Sequence, residues 1–250
     1  MPIREKRIYS GKYLEIEIYP ISKKERSKSR KRKLKESVNK QKNLNDKNAR
    51  KHLRRLINGN FDDEDIFLHL TYDEKNLPGS EEEAKKQLTN FLRRVKNYRR
   101  KRGMEELKYI AVTEYHEADE NDKRTRTRIH HHLVVSGMGR DELEGLWRNG
   151  RANADRLKSN ELGYEELANY ISKDPKGNKR WTQSRNLKQP TIKINDSKYS
   201  YKKAWQINTC QGEREMLEKL YPGYSLSQYK SDVNDVNSCY YTYIKMRRRN

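Results

Sequence analysis

Nine residues, RIHHHLVVS from Arg128 to Ser136, limit the fold more than any other stretch of this chain. On a strand, alternate side chains face opposite ways, so His130 and His132 share one face and His131 joins Leu133 and Val135 on the other. Upstream, KYIAVTEYH at 108 to 116 reads as a second strand, and the charged stretch between the two reads as the loop of a hairpin. A hairpin centred near Asn121 and Asp122 places Glu114 across from about His130. One sheet face then offers two imidazoles and a carboxylate, a set of nitrogen and oxygen donors that suits a divalent metal.

The flanking sequence supplies the rest of a small α+β layer. IFLHLTY, residues 66 to 72, alternates so that Ile66, Leu68 and Leu70 share one face and Phe67, His69 and Thr71 the other. Ser80 followed by Glu81, Glu82 and Glu83 caps a helix whose Leu88, Phe91, Leu92 and Val95 recur at helical spacing, with Gly103 as its stop. A short helix from Asp141 to Trp147, a strand in RANADRL and a helix in GYEELANYISKDPK, stopped near Pro175, follow in turn. The order β-α-β-β-α-β-α is that of a ferredoxin-like (RRM-like) sandwich, an antiparallel sheet with helices on one face.

Charge defines the partner. Lysine and arginine number 57 against 36 acidic residues, a net charge of +21. Nucleic acid is the first expectation and an anionic membrane surface the second. The window from Lys23 to Arg55 holds 16 basic and three acidic residues and reads as a cationic, partly helical arm for the DNA backbone. No run approaches the roughly 20 apolar residues of a membrane span, and the N-terminal segment lacks a signal peptide's apolar run, so a cytoplasmic protein is expected. Cys210 and Cys239 are too few for a zinc site of four cysteines and read as reduced thiols.

On the 163 to 176 helix, Tyr164, Leu167, Ala168 and Ile171 form the buried stripe. Tyr170 lies about 100 degrees from its centre, on the side of Glu166 and Lys173. A phenol is a weak nucleophile until a neighbouring charge stabilises its oxyanion or its target is polarised. A metal at Glu114, His130 and His132 supplies the second effect, and Lys173 is a candidate helper. Glu117 is the alternative acid, disfavoured because the chain is leaving the strand there. Manganese or magnesium suits the mixed shell, and the chemistry also permits zinc.

Together these residues resemble the three motifs of the HUH endonucleases, in particular the replication-associated proteins of small phages, plasmids and integrative elements of bacteria. FLHLTY looks like the first motif, RIHHHLVVSG the second and YISK the third, and the similarity covers roughly residues 45 to 190. The resemblance implies that His130 and His132 bind Mn2+ or Mg2+, supports Glu114 as third ligand and Lys173 as helper, and makes Tyr170 the residue that forms a 5′-phosphotyrosyl link to start rolling-circle replication. DNA contacts are expected from His69 and Thr71 in the first motif, Arg128 in the second and Arg185 after the third. Members with two nucleophiles carry a second tyrosine four residues away; those positions are Glu166 and Asp174 here, so a single-tyrosine enzyme is expected. Some single-tyrosine initiators place a glutamate at the Glu166 spacing to activate water at termination.

Between Gly145 and Arg151 no Walker-type lysine follows the glycines, so a host helicase and DNA polymerase are implied partners beside single-stranded origin DNA. The expected organisation is a basic N-terminal segment at 1–60 with one strand at 13–19, a catalytic domain at 61–190 and an accessory C-terminal extension at 191–250. A relaxase or single-tyrosine transposase would use the same chemistry. A non-catalytic single-stranded nucleic-acid-binding module is the alternative from another class.

Overall fold

The computed structural model describes residues 1–21, 39–116, 128–172, 180–234 and 239–249. The chain is α+β and divides into two compact units, one formed by 1–59, 160–163 and 189–250, the other by 60–159 and 164–188. Each unit contains a five-stranded sheet whose strand pairs are all antiparallel.

The second unit holds the histidines. Strands β3 (Ile66–Thr71), β4 (Tyr109–His116), β5 (Arg128–Val135), β6 (Ala152–Arg156) and β7 (Thr182–Gln183) lie in the order β6-β3-β5-β4-β7. The first four of these strands give the spatial order fourth, first, third, second, which is the ferredoxin-like arrangement expected from the order of elements. Helix α2 (Glu81–Lys101) starts where Ser80 accepts a hydrogen bond from the Glu83 amide at 3.1 Å, a cap worth about 1 kcal/mol. It ends beside Gly103, whose φ of +65° a residue with a side chain rarely adopts.

Leu88, Phe91, Leu92 and Val95 of α2, with Leu143 of α3 (Arg140–Gly145) and Trp147, pack on Ile66, Leu68, Leu70, Ala111, Leu133, Val135 and Ala154 of the sheet. Each fully buried large side chain contributes roughly 1.5–3 kcal/mol, which secures the phase of every strand it touches. The opposite face therefore presents Phe67, His69 and Thr71, Glu114, and His130 and His132. Helix α4 (Glu165–Ile171) buries Ala168 and Ile171 and brings Tyr170 to that opposite face. The segment 173–179, including Lys173, lies outside the described residues, as does Glu117.

The first unit departs from the expected organisation. A hairpin of β1 (Ile3–Ser10) and β2 (Tyr13–Pro20) pairs with β8 (Thr191–Asn195) on one side and with β10 (Cys239–Arg248) and β9 (Tyr224–Asn234) on the other, in the order β8-β1-β2-β10-β9. The stretches 1–60 and 191–250, expected as separate appendages, thus share one sheet. Helices α5 (Tyr201–Thr209) and α6 (Arg214–Leu220) supply Ala204, Ile207 and Leu217 to its core, against Leu14, Ile16, Ile18 and Ile244.

Strand β2 is not half buried, as its alternation suggests: Glu15 is 1% exposed and Glu17 7%. The reason lies in α1 (Asn39–Asn60), the described part of the cationic arm, whose Arg54 and Arg55 reach Glu15 at 3.1 and 2.6 Å. These two arginines neutralise protein carboxylates instead of phosphates. The arm residues 22–38 lie outside the described residues. Among the described residues no helix is long and apolar enough to cross a membrane.

Candidate active site

The two hairpin strands meet in the register that puts Glu114 opposite His130 and Val112 opposite His132. On the other side of β5, His69 of β3 stands opposite His132, and Thr71 opposite His130. Because antiparallel partners directly across share a face, three imidazoles and one carboxylate converge on the surface that α2 leaves uncovered. His132 Nε2 lies 3.5 Å from Glu114 Oε2.

Ring stacking orders this cluster. His132 lies between Phe67 and His69, with interplanar angles of 3° and 5° and centroid separations of 6.0 and 4.7 Å. His69 also leans toward His130 at 5.5 Å. Tyr170 approaches edge-on, 5.2 Å from the His132 ring and 6.2 Å from Phe67. Phe67 therefore touches both the central histidine and the tyrosine, a role that its alternating, apolar place in β3 did not disclose. Packing against rings of fixed orientation restricts the rotamers His132 can adopt.

Tyr170 is 55% exposed although it belongs to a helix with a buried stripe. Its phenol thus rests its edge on the imidazole while remaining open to a ligand in solvent. Glu166, one turn earlier, is also exposed. Thr71 donates to the Arg151 carbonyl at 3.3 Å, and the chain passes this point closely at Gly150, where a Cβ would come within 2.4 Å of the Thr71 carbonyl oxygen. Arg185 is exposed in the segment after β7, and the structure describes no contact that brings it to the histidines. Arg128 begins β5 opposite His116, and its side chain is outside the described residues.

The middle histidine is different in kind. His131 is fully buried, with Tyr72 Oη 2.6 Å from Nε2 and Thr113 Oγ1 2.9 Å from Nδ1. Burial, reinforced by the neighbouring imidazoles, pushes its pKa down to about 3, so it is a neutral core residue. Burial also holds His132 and His69 below the usual histidine range, against the opposing pull of Glu114. Neutral imidazoles are the form that binds metals.

His132 Nδ1 is buried and, among the described residues, has no hydrogen-bond partner, which is the condition a cation would relieve. Imidazole nitrogens and a carboxylate oxygen are donors that divalent first-row metals accept. Among the described residues no three His, Cys, Asp or Glu side chains are placed to hold one metal ion together. The set suits a metal by the chemical type of its donors; the nitrogen that faces Glu114 is Nε2 of His132.

Residues 65–175 match the model of a family described as replication-associated protein ORF2/G2P. The match covers less than half of the chain, but it encloses His69, Glu114, His130, His132 and Tyr170. No curated protein and no solved structure matches the chain.

Proposed function

We propose that the chain is a replication initiator that cuts one DNA strand at an origin, with Tyr170 as nucleophile and a divalent metal held by Glu114, His130 and His132, as in the HUH endonucleases it resembles. The observation that carries this reading is the exposed Tyr170 ring set edge-on against His132, on the one sheet face where imidazoles and a carboxylate converge. A structural tyrosine on this helix would be expected on the buried stripe with Ala168 and Ile171.

When bound, the ion would place positive charge beside a phosphate oxygen. The chain's own residues do the rest. Tyr170 Oη attacks the phosphorus, the new phosphotyrosyl bond replaces the P–O3′ bond, and the departing 3′ oxygen takes up a proton as the phenol loses one. The phosphodiester energy is retained in the adduct, so rejoining needs no nucleotide cofactor. The stacked Phe67 and His69 hold the His132 ring in place during this exchange. Glu166, exposed one turn from Tyr170, serves to activate water for release of the adduct.

The test is incubation with single-stranded origin DNA and Mn2+, followed by a denaturing gel. Wild type yields a protein–DNA adduct and Tyr170→Phe yields none; an adduct surviving in the phenylalanine variant moves the nucleophile elsewhere. Glu166→Gln still forms the adduct and accumulates it, whereas unchanged hydrolytic turnover removes that residue from the termination step. Binding without cleavage under every metal tried would favour a non-catalytic single-strand-binding module.

A further inference from the structure

A second site of recognisable chemistry lies in the same unit, on the other side of the sheet. A cleft of about 480 Å3 runs between α2 and the β4–β7 edge, floored by Ala111 and Thr113. These two alternate with Val112 and Glu114 along β4, so the cleft opens away from the face that carries Tyr170. Its volume falls within the range of about 300–1,000 Å3 usual for ligand clefts.

The lining is cationic and aromatic. Lys85, Arg93 and Lys96 come from one side of α2, and Arg180 from the chain leading into β7. Glu81 is the one carboxylate among the lining residues, and it pairs with Lys85 at 2.6 Å. Lys96 sits over the Tyr109 ring, 5.6 Å from its centroid. Trp181 is half exposed, and its indole N–H donates to Gln183 Oε1 at 2.8 Å, which pins the ring plane. From Lys85 to Lys96 the helix rises roughly 16 Å, so the cations are spread along the cleft.

We infer that this cleft holds a second stretch of single-stranded DNA, with bases stacked on Trp181 and phosphates neutralised by Arg93, Lys96 and Arg180. Pinned aromatics beside a row of cations are the arrangement that grips a strand without reading its sequence. A strand seated there stays attached on the side of the sheet remote from the cut, which would retain the DNA between cleavage and rejoining. The inference rests on the reading of the chain as a DNA-handling protein and is independent of the tyrosine chemistry.

The measurement is fluorescence anisotropy of a labelled thirty-nucleotide oligo-dT on the Tyr170→Phe protein, so that no cleavage intervenes. Trp181→Ala is expected to weaken binding about fivefold or more, with Trp181→Phe restoring most of it. The exposed pair Arg93→Ala/Lys96→Ala is expected to lower the steepness of the log affinity against log salt line by about 1.4, the loss of two phosphate contacts. Unchanged affinity and slope in both variants would overturn the site, and so would competition by free dTMP as strong as by the oligonucleotide. With Tyr170 intact, the groove variants should still form the covalent adduct on a short oligonucleotide, so failure of the cleft and failure of the nuclease reading are told apart.

Discussion

Two buried polar clusters, one in each unit, are partnered differently. In the first, Glu5 is 2% exposed and accepts from Lys198 at 2.7 Å, Tyr221 at 2.7 Å and Tyr199 at 3.3 Å. Glu15 is held by Arg54 and Arg55 in the same closed manner. In the second unit, the face around His132 leaves a buried imidazole nitrogen without a hydrogen bond among the described residues and an exposed tyrosine beside it. A satisfied network specifies one packing of the chain. An unpartnered imidazole nitrogen on a face shared with His69 and Glu114 is a candidate contact for a ligand.

If that contrast holds, mutations should separate stability from cleavage. The largest effect is expected in the Glu15 network: Glu15→Gln removes the carboxylate shared by Arg54 and Arg55, leaving Arg54 on Tyr243 and Arg55 on Glu17, and should cost about 3 kcal/mol by denaturant titration, with cleavage by the folded fraction unchanged. Burial raises the Glu15 carboxyl, but Arg54 and Arg55 outweigh it and hold the group below the usual carboxylate range. Its contribution is therefore complete above about pH 4.3 and lost as pH falls through the depressed folded value, so hydrogen exchange on β2 should accelerate only in that acid window, and less so in Glu15→Gln.

Next in size, His132→Ala is expected to slow cleavage by at least about 100-fold, beyond what removing a group that merely orients a ligand costs, while moving the denaturation midpoint less than Glu15→Gln does. A stability loss without a rate loss would make His132 a packing residue and erase the contrast. Smallest, Phe67→Leu keeps an apolar side chain and removes the ring contacts to His132 and Tyr170. Aromatic pairs of this kind are worth about 0.5–1.5 kcal/mol, so a two- to tenfold fall in adduct formation is expected, measured in single turnover against an unchanged melting temperature.

Much of the site is legible in local pattern. Alternation in RIHHHLVVS separates His131 from His130 and His132, and the structure gives the middle residue a core environment and turns the outer two to the opposite face, where His132 is also buried beside Phe67 and Tyr170. The hairpin phase brings Glu114 opposite His130, and the helical phase leaves Tyr170 off the buried stripe. The stack of Phe67, His132 and His69 is less legible. Alternation groups Phe67 with His69, but which β5 residue they meet depends on the register of two strands joined through α2 and β4, and no local rule sets it.

The first unit was the harder region to read. β1 carries Glu5, Lys6 and Arg7 in a row, which by composition resembles a solvated segment, yet Glu5 is buried because its partners arrive from Lys198, Tyr199 and Tyr221. β2 reads as a strand with a charged outer face, and α1 then covers that face with arginines.

Sequence alone determined the periods: which residues alternate, which side chains fall on a helix stripe, where Ser80 caps and Gly103 stops a helix, and that the chain's charge suits a polyanion. These follow from neighbours within a turn or two, where backbone geometry is the same in any fold. Tertiary structure decided the pairings: β2 with β10 more than 200 residues away, His132 between Phe67 and His69, Tyr170 against His132, and cations buried on carboxylates. Such contacts join segments whose separation along the chain carries no period, and they form only when burial elsewhere has already brought those segments together.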